Sequence, residues 1–274
     1  MPSYSIEELN NKVNKMRRHI LTMATEGKTS HIGSALSCVE ILAVLYFHIM
    51  STDPLNWDSP QADRFILSKG HGAMAWYAAL AEAGFLEVDQ LKQYAADGGH
   101  LGEHPSHHLG KGIKVSTGSL GHGLSIGLGM ALAKKMDQHK GNVFVLLSDG
   151  ECNEGSIWEA AMWAAAQQLD NLIVMVDDNH IQAMGHSRRI NALEPFAGKW
   201  EAFGWQVAAC DGHNPQELTT VLQGLMAVQG KPKVLIARTF LGKGISFMED
   251  KLLWHYQVPS ADDLSRALAE LGQA

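Results

Sequence analysis

The 274-residue chain sets 22 Lys and Arg against 29 Asp and Glu for a formal charge of -7, so it offers no basic field to nucleic acid. Its length suffices to bury a full core, and Cys38, Cys152 and Cys210 form no CxxC pair, which argues against a disulfide framework or thiolate zinc site and suits a reducing compartment. No run approaches the roughly 18 apolar residues of a membrane span, and the opening MPSYSIEELNNKVNK lacks a signal-peptide core, so a cytoplasmic protein with no membrane partner is expected.

Residues 5 to 25 place Ile6, Leu9, Val13, Met16 and Ile20 at spacings of three and four behind a Ser5 and Glu8 capping box, which predicts an amphipathic helix. GKTSHIG breaks the pattern, and SALSCVEILAVLYFHIM, from Ser34, predicts a helix too apolar to be wholly exposed. A unit then recurs: an apolar run, a Gly-rich or polar loop, an Ala-rich helix. RFILS leads to KGHG and a helix from Ala73, VFVLLS to DGECNEG and a helix from Ile157, and LIVMV to DDNHIQAMG. WQVAAC leads to DGHN and a helix from Pro215, and KVLIARTF to LGKGISF. This pattern predicts an α/β fold with a doubly wound, mostly parallel sheet covered by helices on both faces. With no linker in sight, one domain over 1–274 is expected. Residues 97–122 depart from the rhythm, and so long a loop in a compact domain is functional or disordered.

In an open parallel sheet, ligands bind beyond the carboxyl ends of the strands. His71, Asp149, Asn179, Asp211 and Lys243 all fall at such ends. Asp149 and Asn179 follow strands that flank one helix, so both side chains reach one edge about 5 Å apart. Two hard oxygen ligands there suit magnesium or calcium, with further ligands from a substrate's phosphates. Ser156 and Glu159 have capping-box spacing, and the helix start beside them suits a diphosphate. Asp149 and Asn179 could equally be helix caps. GxxxxGK[ST] and GxSxG are absent, and GLSIGLG follows a loop rather than a strand, so the common nucleotide and serine-hydrolase motifs do not apply. His31, His71, His100, His104, His107, His108 and His122 sit in Gly-rich or polar loops. HLGEHPSHH admits a zinc reading but lacks both an HxxxH pair on a clear helix and a Cys partner.

SDGECNEGSIWEAAMWAAAQQLDNLIVMVDDNHI resembles the thiamine diphosphate fingerprint, which opens with GDG and closes about thirty residues later with Asn. Together with TSHIGSALSCVEILAVLYFHIM, LSKGHGAMAWYA, GEHPSHHLGKGIKVSTGSLGHGLSIGLGMA and EDKLLWHYQVPS, it makes nearly the whole chain similar to the N-terminal, diphosphate-binding part of transketolases. The resemblance implies thiamine diphosphate and a divalent metal, Mg2+ or Ca2+, held by Asp149, Asn179 and the main-chain carbonyl of Ile181. It implies cofactor contacts from His71, Gly118, Ser119, Leu120, Gly150, Glu151 and His255, and a substrate channel with His31 and His104. Glu154 and Glu159 match carboxylates at the family's subunit interface. Ser148 replaces the first Gly of GDG, Ile32 the usual Pro after the first channel histidine, and Tyr256 the Gly that often follows the late one.

Full transketolases continue with a second domain, which binds the aminopyrimidine and carries the activating glutamate, and then a third. The resemblance therefore implies a split enzyme whose C-terminal subunit is a separate chain, a heterotetramer of two plus two, and ketol transfer between sugar phosphates. Two other readings stand beside it: a non-catalytic or regulatory module binding magnesium diphosphates, and half of a thiamine diphosphate enzyme acting on a 2-oxo acid. The run of channel histidines favours sugars, which present several hydroxyls.

Overall fold

The structure, a computed structural model, describes residues 4–272. In chain order it runs α1 (Ile6–Glu26), α2 (Ile32–Ser37), α3 (Val39–Val44), β1 (Arg64–Leu67), α4 (Ala73–Glu82), α5 (His122–Met136), β2 (Val143–Ser148), α6 (Gly155–Ala166) and β3 (Leu172–Asp178). A short hairpin of β4 (Ile181–Gln182) and β5 (Gly185–His186) follows, then α7 (Ser187–Ile190), α8 (Phe196–Ala202), β6 (Gln206–Asp211), α9 (Pro215–Met226), β7 (Lys233–Arg238) and α10 (Ala261–Glu270). The main sheet has the order β1-β2-β3-β7-β6, and every neighbouring pair is parallel.

Alternation along the strands feeds two cores, which is why the strands read as unbroken apolar runs. Phe65, Leu67, Phe144, Leu146, Ile173, Met175 and Leu235 pack against α1, α3, α4 and α9. Ile66, Val145, Leu147, Val174, Val176 and Ile236 point the other way, onto α5, α6 and α8. Helices thus cover both faces, as the strand–loop–helix rhythm predicts. Among the described residues no helix is long and apolar enough to cross a membrane.

At the start of α1, Ser5 Oγ accepts from the Glu8 amide at 3.2 Å and the Glu8 carboxylate accepts from the Ser5 amide at 2.7 Å. The apolar segment expected as one helix from Ser34 behaves differently. It begins at Ile32, breaks at Cys38, resumes as α3 and widens into a π turn over Leu45–Ile49. At the break, Ser37 donates its hydroxyl to Ser34 O at 3.0 Å and to Asp177 at 2.5 Å, a local competitor to helical continuity. α5 lies very close to the sheet because its inner face carries glycines. A Cβ at Gly123 would stand 2.3 Å from Ser68 Oγ, and one at Gly127 would stand 2.6 Å from Val145 Cγ2. That approach brings the 118–121 turn down onto the strand ends.

Candidate active site

β1 runs out into Ser68-Lys69-Gly70-His71, β2 into Asp149-Gly150-Glu151, and β3 into Asn179-His180-Ile181. Ser148 is opposite Asp177 in the β2–β3 register, so Asp149 falls level with Asp178, and Gly150 and Asn179 follow one residue further out on the same edge. A cavity of about 370 Å³ opens there. Its wall includes His31, His71, His104, His255, Gly118, Leu120, Gly150, Glu154, Asn179 and Ile181, all of them anticipated from the sequence. Ser119 is exposed between Gly118 and Leu120. The His104 ring packs over Gly118, where a Cβ would come within 3.3 Å of it.

The rings of His31 and His71 lie 5.4 Å apart, those of His31 and His255 5.2 Å, and those of His71 and His255 6.0 Å. His31 adopts a left-handed conformation at φ 65°, which His tolerates better than most side chains, and its amide donates to His255 O at 3.2 Å. The late histidine segment is thereby tied to the first. Burial, followed by the neighbouring His255, His104 and Lys69, lowers the pKa of His31 to about 4. Burial and the Lys69 cation push His71 well below its ordinary value, and burial also lowers His255. Nδ1 of His31 and Nδ1 of His255 are buried without a hydrogen-bond partner. These three imidazoles are neutral at physiological pH, and each can donate from one nitrogen and accept at the other.

Asp149 is 1% exposed. Its Oδ2 accepts from Ser187 Oγ at 2.5 Å, while its Oδ1 is buried without a partner. Burial raises its pKa to about 7 against the Ser187 hydrogen bond, with Asp178 and Asp177 adding to the rise. Asn179 turns its amide nitrogen down to Asp177 Oδ2 at 3.2 Å, and its Oδ1 accepts from the Ile181 amide at 3.1 Å. Beneath it, the fully buried Lys69 ammonium reaches Asp177 Oδ2 at 2.5 Å and Ser34 O at 2.9 Å. Thr239 donates to the other Asp177 oxygen. Burial alone would raise the Asp177 pKa, but Lys69 outweighs it and holds the carboxyl below its ordinary range.

Three expectations need correction. Glu151, expected on the diphosphate, is wholly buried away from the cavity. Its carboxylate accepts from Ser68 Oγ at 2.5 Å, Gly121 N at 2.8 Å and Ser148 N at 3.3 Å, and its own amide donates to Ser148 Oγ, so it ties together the loops after β1, before α5 and after β2. Ser156 and Glu159 form no capping box: α6 starts at Gly155, and the Ser156 hydroxyl donates to Gly121 O at 2.9 Å. Asp211 caps its own turn by accepting from the His213 amide at 2.8 Å, and Lys243 pairs with Glu249 at 3.2 Å, so neither lines the cavity. Among the described residues the one group of three metal-capable side chains is Asp149, Asp178 and His180. Glu154 sits exposed at the cavity rim, and Glu159 is exposed further along α6, outside it.

Sequence reasoning passed over Lys69, Asp177 and Ser187. The first two had a readable signal, a lysine directly after an apolar strand and an aspartate inside one, both positions where an ion needs a buried partner. Ser187 had none, because its link to Asp149 spans 38 residues.

The sequence model described as the transketolase, thiamine diphosphate binding domain matches residues 9–274. The chain belongs to the transketolase family. It is 42% identical over 268 residues to an apulose-4-phosphate transketolase subunit of Actinobacillus succinogenes, covering 97% of each chain. It is also 42% identical over 266 residues to a 6-deoxy-6-sulfo-D-fructose transketolase subunit of a Clostridium species, covering 96% of each. Among solved structures, the transketolase of Campylobacter jejuni superposes with a TM-score of 0.92 at 26% identity over 98% of this chain, but over only 43% of that one. The chain thus matches these two transketolase subunits in length and spans about two-fifths of a full-length transketolase. The fold is that of the thiamine diphosphate-binding domain, and both relatives are named as subunits, which implies a separate partner chain.

Proposed function

We propose that this chain is the N-terminal subunit of a two-subunit transketolase that moves a two-carbon ketol unit from a ketose phosphate to an aldose acceptor. The observation that carries the reading is the convergence of His31, His71 and His255 on one cavity beside Asn179 and Gly150. Thiamine diphosphate, when bound, supplies the nucleophilic carbon for this chemistry; the protein supplies position and electrostatics. The hard-oxygen donors fit a divalent metal, Mg2+ or Ca2+. Asp149, through its unpartnered Oδ1, Asn179 and the Ile181 carbonyl would hold it. Gly118, Ser119, Leu120 and Gly150 offer backbone to the cofactor. The neutral imidazoles of His31, His71 and His255, with His104 at the turn, hydrogen-bond sugar hydroxyls and carbonyl and move protons between them.

The remaining parts of the site come from a C-terminal subunit on another chain, in a heterotetramer of two chains of each kind, in the cytoplasm. Exposed Met162 and Trp163 lie on α6 with Glu159, and so apolar an outer face suits a partner's surface. Residues 1–274 act as one domain in this assembly. Calorimetric titration of thiamine diphosphate and Mg2+ into the chain, alone and with its C-terminal partner, followed by a ketol-transfer assay, tests the reading. Turnover confined to the mixture is expected. A folded chain that binds no cofactor in either state would overturn it.

A further inference from the structure

We propose that Asp149, Asp178 and His180 form a second cation site, suited to a divalent transition ion such as Zn2+, in a cavity separate from the histidine cleft. That cavity is about 130 Å³, room for an ion and a few waters, and it shares no lining residue with the cleft. Asp149, Asp178 and His180 all line it, and one ligand atom from each lies within 4.8 Å of the others. His180 Nδ1 and Asp178 Oδ1 are 3.1 Å apart, a hydrogen-bonded pair whose bridging proton an ion would displace. Two ligands each about 2.1 Å from an ion stand about 3.0 Å apart in octahedral and about 3.4 Å apart in tetrahedral coordination. The separation set by the hydrogen bond lies within that range, so an ion replaces the bridging proton with little movement of either side chain.

The third ligand is the buried Asp149, whose Oδ1 is without a partner. His180 is held at φ 61°, and its carbonyl accepts from the Ser187 amide at 2.9 Å. The Ser187 hydroxyl at the same time fixes Asp149 Oδ2, so one residue orients two ligands, as the outer partners of metal sites do. Charge balance permits the ion. Asp149, Asp178 and Glu194 face Arg188 and Arg238, and Arg188 is itself paired with Glu194 at 3.3 Å. Ligand chemistry separates this site from the cofactor's metal. An imidazole with two carboxylates favours zinc-like ions, whereas magnesium seeks oxygen alone. The proposal relies on the functional reading only for the competition it implies: an ion here takes the Asp149 oxygen that the cofactor's metal would use.

The test is calorimetric titration of Zn2+ and Co2+ into the full chain freed of thiamine diphosphate, with the visible absorption of Co2+ reporting its coordination. One ion per chain is expected, with affinity falling about 10- to 100-fold or more in both Asp178→Asn and His180→Ala, and unchanged in Asn179→Ala. Melting curves establish that each variant folds, and the isosteric Asp178→Asn stands in should His180→Ala fail to. No binding, or binding indifferent to both substitutions, overturns the proposal. So does binding lost in Asn179→Ala alone, which would place the ion in the cofactor's own metal site. Thiamine diphosphate binding with Mg2+ is measured on the same preparations. Its failure would overturn the functional reading and leave this site standing, whereas failure of Zn2+ to bind would overturn only this site.

Discussion

His31 links the cleft to pH. Its folded-state pKa is lowered to about 4 from an ordinary 6.5, mainly by burial. Between those values the unfolded chain binds the proton and the folded chain does not, so stability rises with pH across the window and is lost as pH falls from about 6.5 toward 4. Thermal melts taken from pH 7 down to pH 4 should show this decline, and His31→Asn should make it shallower, leaving the share of His71 and His255, which burial also lowers. A slope that the substitution leaves unchanged would assign the effect to other groups. Lys69 gives a second prediction. Replacing it with Met strands Asp177 as an unpaired buried charge and is expected to cost about 3–5 kcal/mol in urea denaturation. The double variant Lys69→Met, Asp177→Asn should recover part of that loss. At this scale the histidines were legible because their loops stand out from the strand–helix rhythm. Lys69 and Asp177 each stand out as an ion in or just beyond an apolar strand, but that they pair was not legible, since they are 108 residues apart and only the fold brings them together.

Among the elements, α5 and the loop after β2 depend on each other. α5 can approach β1 and β2 only through Gly123 and Gly127, and Glu151 then grips Gly121 at its N-terminal end. Gly123→Ala should lower stability by about 1–3 kcal/mol, since the added methyl meets both Ser68 Oγ and its Cα. Glu151→Gln keeps the shape but weakens the hydrogen bonds to Ser68, Gly121 and Ser148, for an expected loss of about 1–3 kcal/mol. It should also weaken cofactor binding, because Gly118 and Leu120 ride on that turn. An unchanged melting temperature in either variant would refute the close-packing account. The same glycines explain why α5 stayed hidden in the sequence: they are poor helix formers, and their purpose is tertiary. The five strands were plain from their apolar runs, whereas the break at Cys38 was not, because Asp177 from a distant strand engages Ser37 there.

At the scale of the whole molecule, both faces of the sheet are covered but the outer side of α6 is not. Met162 and Trp163 are 58% and 41% exposed. Adding the C-terminal subunit should shift the fluorescence of Trp163 toward that of a buried indole, measured as the difference between the wild-type chain and Trp163→Phe. Met162→Glu should weaken the assembly without altering the fold of the isolated chain. The doubly wound architecture was legible from alternating strands and helices. The strand order was not, because periodicity reports which residues face a core and is silent on which strands are neighbours.

The strand order bears also on how the chain reaches its native state. β1 pairs with β2 across 79 residues, Arg64 opposite Val143, and β3 pairs with β7 across 60, Ile173 opposite Lys233. None of these pairings can be replaced by a local hairpin, so each requires closure of a long loop before its contacts form. A slip of one residue in any pair would exchange the side chains of the two cores, which confines productive pairing to a single register. Refolding after dilution from denaturant should therefore pass through a collapsed, helix-rich intermediate and finish slowly. The cleft and the surface offered to a partner depend on three strand ends at once, and they appear only when the last pairing closes.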